Sequence, residues 1–226
     1  MNYSDLEYYV SQPRLNRYLM ACGNSKFKAQ KLYKINLRVA QAFYPMMNLF
    51  EIFIRNAINY QIANYFDDLD WILTEKDGFM SNGLLAPSNY FLRESVSKAE
   101  RFVKGRGNLV TSGKIIAEQT LGFWTALFDS HHFLLLKGIP LKTFAYKPVM
   151  ANRSILAAKF KDIREFRNRI YHNEPICFRG GVVDFSTAIK VMNDMRDIIS
   201  WINPGLLNYT EYFNNITTKI STANDL

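Results

Sequence analysis

Apolar residues recur in steps of three and four along most of the chain, the period of a helix with one buried face. From Phe27 to Phe66 they fall at Leu32, Ile35, Val39, Phe43, Met46, Phe50, Phe53, Ala57 and Tyr60. That spacing predicts one nearly continuous helix, kinked or split at Pro45. A shorter helix is predicted over 90–104, ending at Gly105-Arg106-Gly107. Another is expected over about 114–128, capped by Ser112, with Ile115, Ile116, Leu121, Trp124, Leu127 and Phe128 as its apolar content. The same period covers Ser154 to about Glu174. It returns from Ser186 to Ile202, with Ile189, Met192, Met195, Ile199 and Ile202 on one stripe and Asn203-Pro204-Gly205 as the stop.

Between these segments, 67–90 is broken by Asp67-Asp68, Asp77-Gly78, Ser81-Asn82-Gly83 and Ala86-Pro87-Ser88. The stretch 129–150 is mixed and basic. Nothing alternates convincingly with period two. The expectation is an all-α helical bundle in one domain, 1–226, with its core over about 11–205 and a peripheral Asn- and Thr-rich tail, 206–226.

Composition supports a folded chain: 48% of the 226 residues are hydrophobic and 15% aromatic, ample for a sizeable core. The net charge of +8 favours a polyanionic partner without choosing between nucleic acid and membrane. The charge is concentrated. Residues 11–47 hold seven Lys or Arg and no acidic residue, and 137–179 hold ten basic residues against three acidic ones. Cys22 and Cys177 have no metal-ligand spacing and give no disulfide framework, so a reducing cytoplasm is the expected compartment. The first ten residues have no signal-peptide pattern. The longest uncharged central stretch, Val39 to Phe50, is only twelve residues and is interrupted by Pro45, too short to span a bilayer.

Chemistry concentrates in Arg167-Asn168-Arg169-Ile170-Tyr171-His172-Asn173-Glu174-Pro175. Position 167 falls on the apolar stripe Leu156, Phe160, Ile163, 167, Ile170. A charge there would cost on the order of several kcal/mol if unpaired. It therefore calls for Glu51, Glu118 or Glu165 as an ion-pair partner, or for a phosphate in a subunit cleft. Asn168 and His172 are four apart and share a neighbouring face. Arginine holds phosphate in a planar fork, and histidine moves protons near neutral pH.

These residues, continued by Ile176, resemble the signature of the Abi-like (abortive infection) family in the HEPN superfamily. Three further blocks resemble it in the same order: Pro13-Arg14-Leu15 with Tyr18-Leu19; Glu51-Ile52-Phe53-Ile54-Arg55-Asn56-Ala57-Ile58; and Gly113-Lys114-Ile115-Ile116-Ala117-Glu118 with Leu121-Gly122-Phe123-Trp124. The resemblance covers most of 11–205. It implies a HEPN-type helical bundle with additional helices. In active members it also implies a metal-independent endoribonuclease built across a homodimer, serving phage defence or acting as a toxin, with a neutralising RNA or protein as partner. Carried over, Arg167 would neutralise the scissile phosphate and His172 would handle the proton of the ribose 2′-hydroxyl or of the leaving 5′-oxygen. Asn168 would be the polar residue beside the arginine. The products would be a 2′,3′-cyclic phosphate and a 5′-hydroxyl. Glu51, Arg55 and Asn56 are candidates to support that site, and Lys159, Lys161, Arg164 and Arg169 are candidates to bind the RNA backbone.

Other readings stand beside these. Arg167 and His172 could be a structural pair in an inactive fold. Glu51 and Arg55, four apart, read first as a helix ion pair. Gly122-Phe123-Trp124 reads as a helix contact with core aromatics. Gly105-Arg106-Gly107 is too short for a phosphate loop. His131-His132 are joined at ligand spacing only by Asp129, with no His-Glu-x-x-His, so neither metal nor cofactor is expected. A non-catalytic RNA-binding module is the alternative function, and a helical dimerisation domain is a third.

Overall fold

The computed structural model describes residues 2–225. The chain is all-α: 74% of it is helical. The strands among the described residues form one hairpin, β1 (Phe178–Arg179) against β2 (Val182–Val183). In chain order the helices are α1 (Tyr3–Val10), α2 (Gln12–Ala21), α3 (Lys26–Phe66), α4 (Trp71–Thr74), α5 (Phe91–Gly105), α6 (Ser112–Glu118), α7 (Leu121–Ala126), α8 (Ser130–Leu135), α9 (Arg153–Tyr171), α10 (Ser186–Ile202), α11 (Pro204–Glu211) and α12 (Ile216–Ser221). Among the described residues, no helix is long and apolar enough to cross a membrane.

The chain forms two compact units. One comprises Met1–Asn48, Glu165–Arg196 and Asn208–Leu226; the other comprises Leu49–Arg164 and Asp197–Leu207. The sequence pattern predicts one domain and contains no linker, because α3, α9 and α10 each run from one unit into the other without a break.

In the first unit, α1 opens on a capping box. The Asn2 side chain accepts from the Asp5 amide at 2.8 Å, and the Asp5 carboxylate accepts from the Asn2 amide at 3.3 Å. The core is built from Leu15, Leu32, Ile35, Val39 and Phe43 with Phe166, Ala188, Met192 and Met195, all buried. Phe43 packs on Phe166 with ring centroids 4.9 Å apart. Helix α3 continues through Pro45 rather than splitting there. The tail is more than a peripheral strand of polar residues. It folds into α12 and the end of α11, with Thr210 and Ile216 fully buried. The Asn214 side chain accepts from the Ile216 amide at 3.2 Å. One well-placed apolar side chain is enough to anchor a short helix, and an Asn- and Thr-rich composition conceals it.

In the second unit, Phe128, Phe144 and Phe160 pack with centroids 5.1–6.2 Å apart, and Phe50 lies 6.3 Å from Phe160. Such tilted and edge-to-face pairs add to the value of the area they bury. Trp71 donates through Nε1 to Asn59 at 2.9 Å, which satisfies a buried indole. The stretch expected as one helix over 114–128 is two, α6 and α7, because Gln119 and Thr120 are extended. The cap is Thr111, whose hydroxyl accepts from the Lys114 amide at 3.4 Å. Ser112 instead donates its hydroxyl to Asp70. The segment 67–90 forms short pieces, as its breakers predict: α4 and 3-10 turns at Phe79–Ser81 and Gly83–Ser88.

Candidate functional site

Helix α9 stops at Tyr171, three residues before the end suggested by its period. The stop is chemical. Asn173 takes a left-handed conformation, φ 57°, which asparagine tolerates better than most residues. Its amide donates to the Ile170 carbonyl at 3.0 Å, and the Glu174 amide donates to the Arg169 carbonyl at 2.8 Å. These two bonds close a Schellman cap with Asn173 just past the helix. Pro175 follows and cannot continue the turn.

The segment leaving the cap is tied down by side chains of the same unit. Arg14 donates to the Asn173 carbonyl at 2.8 Å. Arg169 donates to the Pro175 carbonyl and lies 3.7 Å from the Glu174 carboxylate. The buried Asn36 side chain accepts from the Ile176 amide at 2.9 Å. Arg17 donates to the Gly180 carbonyl at 3.2 Å and stacks 4.6 Å over Phe178. Tyr18 packs edge-on against Phe178. Burial pushes the Tyr18 hydroxyl upward and the Cys177 thiol up to about 12, so both are neutral at physiological pH. Thus Arg14 and Tyr18, which belong to the first of the blocks noted in the sequence, position the loop that follows the Arg167–Pro175 stretch. Asn36 does so too. Its signal in the sequence was a polar residue one step from the apolar Ile35, too weak to single out.

Arg167 is not on the core stripe. Leu156, Phe160, Ile163 and Phe166 take the buried positions, so the register of the stripe runs through Phe166. Arg167 sits on its flank, half-buried, with its guanidinium 4.1 Å from the centroid of the Tyr171 ring. That cation–π contact offsets part of the desolvation the sequence anticipated. Among the acidic residues proposed to offset the Arg167 charge, Glu118 is held by Arg106 at 2.8 Å. Asn168 and His172 are exposed on the outside of the same helix end, and the His172 amide donates to the Asn168 carbonyl at 2.9 Å. Arg167, Asn168, Tyr171 and His172 therefore share about one turn and a half of helix in the first unit. The acid-free stretch of that unit leaves Arg14, Arg17, Lys26, Lys28, Lys34 and Arg38 exposed.

Of the residues expected to bind RNA, Arg169 braces the loop as described. The others belong to the second unit. Lys159 donates to Asp197 at 2.9 Å and lies 5.5 Å over Trp201. Lys161 and Arg164 are exposed and line a cleft of about 270 Å³ with Thr125 and Asp129. Glu51, Arg55 and Asn56 are half-buried in the second unit, where Arg55 donates to Asn56 at 3.3 Å.

The second unit also gathers Asp129, His131 and His132, whose potential ligand atoms all lie within 4.8 Å of one another. No helical His-Glu-x-x-His spacing links this trio in the sequence. A tight turn into α8 gathers it without that motif.

Compared with known proteins, the chain matches no family model, and no curated protein or solved structure is similar to it. What the fold and the site define is an all-α protein with a half-buried arginine beside exposed Asn168, Tyr171 and His172 at a capped helix end.

Proposed function

We infer that the chain is a metal-independent endoribonuclease of the abortive-infection or toxin type, cutting RNA across a homodimer. The observation that supports it best is the helix end itself. A half-buried guanidinium braced on Tyr171 and an exposed imidazole are presented together on a segment immobilised by a Schellman cap, Arg14 and Asn36. Immobilised groups position a reactant at little entropic cost during reaction. RNA brings its own nucleophile, the 2′-hydroxyl. Arg167 binds the scissile phosphate and stabilises the charge that grows on it. His172 takes the 2′-hydroxyl proton or supplies one to the leaving oxygen. Asn168 contacts the sugar–phosphate beside them, and the exposed basic residues of 11–47 hold the flanking phosphates. A second subunit supplies the second imidazole, and a neutralising RNA or protein would act by covering this surface.

One observation favours a non-catalytic RNA-binding module instead. Among the described residues, no side chain hydrogen-bonds the His172 ring, whereas a catalytic histidine is usually oriented by a neighbour. In the enzyme, the partner subunit or the RNA must orient it. Incubating the protein with labelled single-stranded RNA in EDTA decides between the two. Cleavage lost in both Arg167→Ala and His172→Ala is the expected result. Salt-sensitive binding without cleavage from pH 6 to 9 would establish the module, and absence of binding would remove both.

A further inference from the structure

His131 and His132 open helix α8, and Asp129 occupies its cap position. Three features set this corner apart. His132 is only 1% exposed. Its Nδ1 donates to the Ala126 carbonyl at 2.8 Å, which fixes the tautomer and leaves a lone pair on Nε2. The Nε2 atoms of both histidines are closed off from solvent, with no hydrogen-bond partner among the described residues. A buried acceptor left unsatisfied is rare in folded proteins and calls for a ligand. Asp129 stands where an aspartate ordinarily accepts from the first amides of its helix, yet its carboxylate makes no such bond. It is exposed and lines the cleft shared with Thr125, Lys161 and Arg164.

We propose that Asp129, His131 and His132 bind a divalent first-row transition cation of the zinc class, a site separate from Arg167 and His172. Two imidazoles and one carboxylate suit such ions, whereas magnesium and calcium prefer oxygen alone. A backbone carbonyl holding Nδ1–H is the usual outer support of a metal-binding histidine. Zinc ligands lie about 2.0–2.2 Å from the ion, so the ligand atoms, now within 4.8 Å of one another, would draw together around one cation. Three protein ligands would leave at least one coordination position for water. Through these ligands the ion would brace the turn between α7 and α8.

The test uses the untagged full-length protein, stripped with EDTA and dialysed. It is titrated with Zn²⁺ against a chromophoric chelator, and with Co²⁺ for the visible absorption that nitrogen–oxygen coordination gives. Uptake of one ion per chain, with a thermal midpoint that rises with free ion, is expected. Asp129→Ala and His131→Gln should weaken uptake by more than about 100-fold, beyond the cost of losing an outer support. Asp129 is exposed and makes no cap bond, so its variant stays folded, and far-ultraviolet circular dichroism checks both. No stoichiometric uptake by the parent protein overturns the proposal. Uptake unchanged in the Asp129→Ala variant overturns it equally. RNA cleavage enters neither readout, so this site and the ribonuclease proposal stand or fall separately.

Discussion

His172 and His132 occupy opposite environments, one in each unit. His172 is exposed at a helix end and, among the described residues, is bonded through its backbone alone. His132 is sealed in the second unit, its tautomer set by the Ala126 carbonyl and its remaining nitrogen without a partner among the described residues. The first is suited to moving a proton on a substrate that arrives from solution. The second is suited to holding something that stays. The same side chain thus acquires two chemistries from burial and from the partner of one ring nitrogen.

The largest expected effect that separates the two is catalytic. His172→Ala should lower RNA cleavage by about 10²–10⁴-fold while shifting stability by no more than about 0.5 kcal/mol, as exposed substitutions do. Gel kinetics alongside thermal melts check both halves, and a large loss of stability would mean that His172 is structural. Phe160→Ala, at the centre of the aromatic cluster in the second unit, should do the reverse and cost about 3–5 kcal/mol in urea denaturation. Next in size is Asn36→Ala. It leaves the Ile176 amide buried without its acceptor and should destabilise by about 1–3 kcal/mol. It should also reduce cleavage, because the loop after the helix cap loses an anchor. Unchanged cleavage at reduced stability would show that the anchors of that loop do not matter to the site.

The smallest effect concerns pH. Free in the unfolded chain, Cys177 titrates near 9.0; folded, it is pushed up to about 12. Above pH 9 the unfolded state therefore loses a proton that the native state keeps, so stability falls as pH rises toward 12. Tyr18, also raised by burial, adds to the loss in the upper part of that range. Urea midpoints measured between pH 8 and 11 should decline, and less steeply in Cys177→Ala.

The helical period made the long helices α3, α5, α9 and α10 legible, and did not single out the shorter α1, α2, α8, α11 and α12. The approximate limits read from the sequence, about Ser186 to Ile202, agree with α10, because a serine start and an Asn-Pro-Gly stop bracket an apolar stripe. The period failed where local chemistry overrode it. Ser112 bonds Asp70 rather than capping its helix, and an asparagine cap stops α9 before Pro175 can. The Arg167–His172 group was legible because its members are neighbours in the chain. Its supports were not, since Arg14 and Asn36 lie more than 130 residues away and only folding brings them to it. Register decided the place of Arg167: a step of three from Ile163 to Phe166 moved it from the core to its edge. The Asp129–His132 corner was hidden for a related reason, because a turn, rather than a helical repeat, gathers its atoms.

The most direct test of the central claim is the chemistry of the cut ends. RNA incubated with the protein in EDTA should carry 2′,3′-cyclic phosphate on the upstream fragment and a 5′-hydroxyl on the downstream one, as attack by the RNA's own 2′-hydroxyl requires. Fragments ending in 3′-hydroxyl and 5′-phosphate, which report water as the nucleophile, would contradict it.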